Sequence, residues 1–271
     1  SDASNELSYL FLQAQAHLLL PQPNLSLRIY KDSPQELLEA ATRVIAMGSG
    51  MPQIFNDEAV IPALTAHGIS DHDARNYAIV GCVELTTHGN ALGWSDAAMF
   101  NLLKALELTL NHGVDQLTGE KTGLDLGDLT TYKTFEELEE AYAKQIDHFS
   151  DRMVTCITQV EKMHELLLPT PFLSAVIDDC LTRGMDVTQG GARYNFAGVQ
   201  AIQIANVADS LAAIKLLVYD EKKLSAQELL HALQTNFEDA PLVRTMLLNK
   251  VPKYGNDVPW VDELGAKWVN Y

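Results

Sequence analysis

Short stretches of strand periodicity alternate with long amphipathic helices in this sequence, which predicts an α/β protein with parallel strands. Three observations carry that reading. Residues 25–30, LSLRIY, alternate apolar and polar positions, the period of a half-buried strand. The run YAIVG at residues 77–81 is apolar up to a closing glycine, the pattern of a strand covered on both faces. From Phe135, through Leu138, Tyr142, Ile146, Phe149, Met153, Ile157 (or Cys156), Val160 and Met163, to Leu167, apolar residues recur at threes and fours, marking one face of a single long helix.

Taken in order, residues 7–20 are apolar and helical and are stopped by Pro21 and Pro23. Ser33-Pro34-Gln35-Glu36 is a capping box with proline at the first helical position, and its helix should run to about Met47 and end at Gly48. Residues 52–61 read as extended chain and loop, and residues 70–76 as a short polar helix. After the 77–81 strand a loop covers 82–93. Residues 96–112 then read as a helix, capped by Ser95 or Asp96 and closed by Gly113. Residues 118–131, rich in Gly and Thr, are the best linker candidate. Thr134 with Glu137 opens the long helix, which stops at Pro169 and Pro171 and suits a core helix better than a coiled coil. A glycine-bearing loop at 189–195 leads into an apolar, mostly helical stretch at 199–220. Ser225 and Glu228 cap a helix through Phe237, and the tail at 249–271 holds a short helical piece near 261–269. There is no internal repeat and no low-complexity tract.

Composition narrows the function. The chain has 271 residues, enough for one large domain or two small ones. Apolar residues at 47% and charged residues at 20% are those of a folded globular chain. The 36 acidic against 19 basic residues give a net charge of −17, a field that repels phosphate backbones and anionic lipid, so neither nucleic acid nor membrane is an expected partner. The three cysteines, Cys82, Cys156 and Cys180, are odd in number and form no C-x-x-C pair, which fits a reducing compartment rather than a disulfide framework. The polar start SDASNEL is no signal peptide, so the expected location is the cytoplasm.

Most motif candidates dissolve on inspection. Gly48-Ser49-Gly50 lacks the third glycine of a dinucleotide loop and reads as a helix stop. Neither a P-loop nor a G-x-S-x-G elbow occurs. His67, His72, Cys82 and His88 cluster in sequence, but their spacing matches no common zinc pattern, and no metal is expected. Cys156 falls on the long helix's apolar stripe and reads as core filler; Cys180 is equally undistinguished.

The segment Val80-Gly81-Cys82-Val83-Glu84 stands apart. A thiol and a carboxylate lie two residues apart directly after a buried-strand signal, where α/β proteins place ligands. In extended backbone positions i and i+2 point the same way, so Cys82 and Glu84 are expected to face one cavity. A carboxylate beside a cysteine disfavours the thiolate, which suits one-electron sulfur chemistry better than nucleophilic attack.

The stretch YAIVGCVELTTHGNALGWSDAAMFNLLKALELTLNHG resembles the active-site segment of the glycyl radical enzymes. The resemblance extends upstream through LSLRIYKDSP and MPQIFNDEAVI. Downstream it runs through GGARYNFAGVQAIQIANVADSLAAIKLLVYDEKK and LLNKVPKYGNDVPWVDELG, nearly the whole chain. It implies that Cys82 becomes a thiyl radical that abstracts a substrate hydrogen atom and that Glu84 is the general base of the dehydratase and C–N lyase branch. Asp96, with Ser95 beside it, would bind a substrate hydroxyl; its plainer reading is a helix N-cap. The implied fold is half of a ten-stranded α/β barrel, with parallel strands and surrounding long helices. The implied substrate is a small hydroxylated molecule such as a diol, which loses water or amine. Pyruvate formate-lyase proper carries two adjacent cysteines at this point, whereas Cys82 has Gly81 before it and Val83 after it, which counts against the alternative, formate acetyltransferase chemistry. Leu85 stands where dehydratase-like members commonly have proline, which blurs the subgroup. The family's radical glycine sits in an R-V-x-G-[FWY] loop, absent from these 271 residues, so the chain is expected to be an internal fragment of one barrel domain and inert alone. By the same resemblance this chain would bind no cofactor. The glycyl radical would lie on a glycine outside it, installed with S-adenosylmethionine by an iron–sulfur radical-SAM activating enzyme, in a homodimeric holoenzyme.

Overall fold

The computed structural model describes residues 3–271. Helix α1 (Glu6–Leu18) starts at Asn5, whose side chain accepts the Leu7 N–H, and is followed by strand β1 (Ser26–Ile29) and helix α2 (Gln35–Ile45). The capping box expected at Ser33 does not form. Pro34 holds the cap position with no side-chain bond, and the Ser33 hydroxyl accepts the Tyr30 N–H instead. Residues 52–61 begin extended as expected, in β2 (Gln53–Asn56), but in place of the expected loop the strand passes directly into α3 (Asp57–Ala66), with Asn56 as the cap. Helix α4 (Asp71–Arg75) and strands β3 (Tyr77–Val80), β4 (Glu84–Thr87) and β5 (Ala91–Asn101) follow.

Strand β5 overturns the helix expected at residues 96–112. Ser95 and Asp96 lie inside the strand, and the helix α5 (Leu102–Thr109) is capped by Asn101, which accepts the Lys104 N–H. The Ser-Asp-Ala-Ala sequence is a good local cap signal. Pairing with β6 (Tyr194–Ile202) outweighs it, since tertiary contacts override weak propensities. β6 itself was hidden in a segment read as loop and helix. A Cβ at Gly198 would collide with the Ser95 backbone, so the glycine is what lets β6 approach β5 here.

The long helix is real and uninterrupted: α6 spans Phe135–Leu167, 33 residues. Two short helices follow, α7 (Pro171–Val176) and α8 (Cys180–Arg183), then after β6 helix α9 (Ile204–Ile214), which continues into a π-helical turn at Lys215–Asp220. Helices α10 (Ala226–Gln234), α11 (Pro241–Asn249) and α12 (Pro259–Asn270) complete the chain; α10 carries the expected Ser225–Glu228 capping box.

The chain forms two compact units whose boundaries fall inside β5, α6 and β6: residues up to Asp96 with Glu161–Gly198, and Ala97–Val160 with Val199–Tyr271. In the first unit β1 and β2 pair in parallel, Ser26 opposite Gln53 and Ile29 opposite Asn56, the parallel element of the α/β pattern. β3 and β4 pair antiparallel as a hairpin, Tyr77 opposite Thr87 and Val80 opposite Glu84. A small core of Leu12, Leu37, Ala41 and Val44 joins α1 to α2. The second unit is mostly helical, and its core includes Leu106, Leu129, Leu138, Tyr142, Leu211 and Val261. Residues 118–131 are not a linker: they belong to this unit, with Leu129 fully buried.

Candidate functional site

The β3–β4 hairpin carries Cys82 at its tip. Gly81 turns the chain with φ of +58°, a left-handed value that glycine adopts freely. A Cβ there would stand 2.9 Å from Glu84 Oε2, so the turn needs glycine twice over. Glu84 Oε2 accepts the N–H of Cys82 at 2.8 Å and of Val83 at 3.0 Å. The turn therefore joins the two candidates differently from the extended geometry expected of them. The Glu84 carboxylate folds back over the backbone of the loop that carries the thiol. Cys82 is a free cysteine and exposed. Outside the hairpin, Asn24 Nδ2 donates to the Gly81 carbonyl at 3.1 Å.

The hairpin's base is fixed by a cluster that sequence reasoning missed. Tyr77 is buried at the start of β3, and its hydroxyl donates to Asp57 Oδ1 at 2.9 Å. Arg28 from β1 grips the same carboxylate with two N–H groups, Nε to Oδ1 at 3.0 Å and Nη2 to Oδ2 at 2.9 Å, the fork geometry that makes such pairs strong. Its guanidinium lies 3.8 Å from the centre of the Tyr77 ring and donates to the carbonyls of Tyr77 and Arg75, each at 3.1 Å. Burial pushes the Tyr77 phenol well above its ordinary range, and the bond to Asp57 adds to the effect. Arg28 sits at a polar position of the 25–30 alternation, so the sequence carries no signal that it reaches Asp57 and Tyr77.

Ser95 and Asp96 are strand residues, Ser95 half-buried and Asp96 exposed, and neither caps a helix. A Cβ at Gly93 would come within 3.3 Å of both Ser95 Oγ and Thr86 Oγ1, so β5 runs close to β4, two residues beyond Glu84.

The other candidates separate. His67 Nδ1 lies 2.8 Å from the Ala63 carbonyl and His72 Nδ1 3.3 Å from Asp73 Oδ1. Among the described residues no group of three or more His, Cys, Asp or Glu is placed to hold a metal ion. Cys156 is exposed rather than core filler, because the buried stripe of α6 ends at Ile146. Cys180 is buried, and burial pushes its thiol up. Asp73, by contrast, is held down at about 2, first by the Tyr194 hydroxyl at 2.7 Å and then by the Ser70 hydroxyl at 2.9 Å. Among the described residues no helix is long and apolar enough to cross a membrane.

The model of the pyruvate formate lyase-like proteins matches residues 1–271. The (2S)-3-sulfopropanediol dehydratase of Klebsiella oxytoca is 38% identical over 97% of this chain and 32% of its own length. The glycerol-bound B12-independent glycerol dehydratase of Clostridium butyricum superposes with a TM-score of 0.84 at 39% identity, over 100% of this chain and 34% of that one. A glycyl radical enzyme of Archaeoglobus fulgidus gives 0.81 at 37% identity, again over 100% and 34%. The chain thus has the fold of part of these barrels, and it spans about a third of the length of the curated relatives it matches.

Proposed function

Because this chain belongs to the pyruvate formate lyase-like family, we propose that its Cys82 hairpin is the hydrogen-abstracting element of a glycyl radical dehydratase or lyase acting on a small hydroxylated substrate. The observation that carries this reading is the hairpin tip itself: an exposed free thiol on a tight glycine turn, with one carboxylate bound to the same turn. A free thiol at the tip of a glycine turn fits a residue that must meet a radical donor from one side and a substrate from the other. A glycyl radical, installed by an activating enzyme, would supply the hydrogen-atom acceptor that Cys82 needs to become a sulfur radical.

The chain's own residues then act in sequence. The Cys82 sulfur takes a hydrogen atom from the carbon bearing the hydroxyl, forming S–H and leaving a carbon radical. Glu84 accepts the proton of that hydroxyl, and the added electron density expels the leaving group from the neighbouring carbon. The proton held by Glu84 leaves with that group, as water when it is hydroxide. The resulting carbon radical, now beside a carbonyl, takes the hydrogen atom back from Cys82, so the sulfur radical is regenerated and the atoms balance. General base help of this kind is worth roughly 10²- to 10⁴-fold. Asp96 and Ser95, on the strand beside β4, are proposed to hold the substrate hydroxyls. The two carboxylate roles would differ: Glu84 moves a proton, while exposed Asp96 orients.

The test is anaerobic activation of the protein at its natural length with its activating enzyme and S-adenosylmethionine, followed by assay with vicinal diols. Aldehyde or ketone formation in wild type and none in Cys82→Ser is expected. Turnover by the serine variant would remove Cys82 from the reaction.

A further inference from the structure

Two side chains from one short segment grip the thiol hairpin at opposite ends. Asn24, just before β1, donates to the Gly81 carbonyl at the tip, and Arg28, within β1, donates to the Tyr77 carbonyl at the base and covers the Tyr77 ring. The spacing is matched. Asn24 and Arg28 are as far apart in sequence as Tyr77 and Gly81, and the pairs 24–81 and 28–77 run in opposite chain directions. Two extended segments of equal length, roughly 13 Å at about 3.3 Å per residue, therefore lie in register through side chains rather than through a backbone ladder. The Arg28 end is itself locked by the two-bond grip on Asp57.

We propose that Asn24 and Arg28 are positioning residues that form a two-point clamp on the Cys82 hairpin and fix where the thiol stands. The need for such a clamp follows from the hairpin's own weakness. A two-stranded hairpin is marginal by itself and depends on bonds to its surroundings to hold one place. Inside the turn, Glu84 accepts the Cys82 and Val83 N–H groups, bonds made within the hairpin. The Asn24 bond to the peptide unit between Gly81 and Cys82 reaches the tip from outside the hairpin. Hydrogen transfer between a sulfur and a carbon is steeply sensitive to distance, and a displacement of about 1 Å can cost on the order of 10² in rate. As a role for the proposed reaction this rests on that reading; as a statement about the hairpin's rigidity it does not.

The experiment uses the protein at its natural length, before any radical is installed, and compares wild type with Asn24→Ala, Asn24→Asp and Arg28→Lys. Amide hydrogen exchange at Cys82 and Val83 should quicken about tenfold or more in Asn24→Ala, while the melting temperature and exchange elsewhere stay as in wild type. Asn24→Asp should be worse than alanine, since a carboxylate cannot donate to the Gly81 carbonyl and repels it. Arg28→Lys, which loses the fork but keeps the charge, should loosen the base as well. If that variant fails to fold, the two Asn24 variants carry the test alone. After activation, kcat should fall by about 10- to 100-fold in Asn24→Ala with KM little changed. Wild-type exchange at Cys82 and Val83 in both Asn24 variants would overturn the clamp, and so would a wild-type kcat. Neither result bears on whether Cys82→Ser is inactive, so failure of the clamp is distinguishable from failure of the proposed chemistry.

Discussion

The Cys82 hairpin and the helical core of the second unit are held by opposite means. At the hairpin, single directional bonds do the holding: Asn24 to Gly81, Glu84 to the two loop amides, Arg28 to Tyr77. In the second unit, Leu106, Leu138, Leu211 and Val261 are almost wholly buried, and the Tyr142 ring meets Trp268 edge-on with centroids 4.5 Å apart. Burial is non-directional and adds up over area, so it suits stability. Hydrogen bonds contribute little net energy each but fix angle and distance, so they suit placement of a reacting atom. Substitutions at the hairpin should therefore cost activity while sparing stability, and substitutions in the helical core should do the reverse.

Cys82→Ser is the strongest attempt to break that contrast. Turnover should fall below detection, because a serine O–H bond is too strong to pass a hydrogen atom. Stability should stay within about 0.5 kcal/mol, as for an exposed position with no packing. A glycyl radical signal of wild-type size beside zero turnover is the expected reading from electron paramagnetic resonance and product assay together.

Glu84→Gln comes next. Glutamine keeps the shape and an oxygen that can still accept the Cys82 and Val83 N–H bonds, but it cannot take a proton from a hydroxyl. The rate should drop by roughly 10² to 10⁴. Hydrogen abstraction should survive, so washing solvent deuterium into recovered substrate is expected without product. The structure sharpens the rival account, in which Glu84 only braces its loop. That account predicts a loss of about 1 kcal/mol of stability with full activity, and melting temperature measured beside turnover separates the two. Full activity in a well-folded variant would refute the base assignment.

Leu138→Ala probes the other side of the contrast. The side chain is fully buried within the core of the second unit, and its removal leaves a cavity. Denaturant unfolding should show a loss of about 2–5 kcal/mol. Under conditions where the variant remains folded, kcat should stay close to wild type.

How much of this was legible follows the same division. The long α6 helix, the β1 strand and the α10 cap were readable because each is written in local spacing, whereas the extended geometry expected of Cys82 and Glu84 gives way to a turn. β5 and β6 were not, because Ser95-Asp96-Ala-Ala and the residues after Gly198 carry locally good helix signals that only strand pairing overrides. The Arg28–Asp57–Tyr77 cluster was invisible for a different reason. Its members lie far apart in sequence, and nothing in the residue types alone says that an arginine will reach two backbone carbonyls and a ring. Cys156 misled in the opposite sense: the apolar stripe continues in sequence along α6 past the point where burial stops.

The smallest predicted effect tests whether a directional bond in the first unit, away from the hairpin tip, behaves as a stabiliser at all. Tyr194 donates to Asp73 at 2.7 Å, and this bond is the main reason the carboxyl is held at about 2 rather than the ordinary 3.8. A carboxyl whose folded pKa is depressed contributes stability that is fully present above its unfolded pKa, near 4, and is lost as pH falls from there through about 2. Tyr194→Phe removes the donor and keeps the ring beside Phe196, whose centroid lies 6.2 Å away in a near-parallel stack. The Asp73 pKa should then move back up toward 3.8, read by carbon NMR of the carboxyl. Stability at neutral pH should fall by about 1 kcal/mol, the usual net value of one such bond. Below pH 2 wild type and variant should converge, since the carboxyl is protonated in both folded and unfolded chains. A gap between them that persists unchanged into acid would mean that packing of the hydroxyl, rather than its bond to the charged carboxylate, supplies the difference. The contrast between directional placement and apolar burial would then have to be narrowed to the hairpin alone.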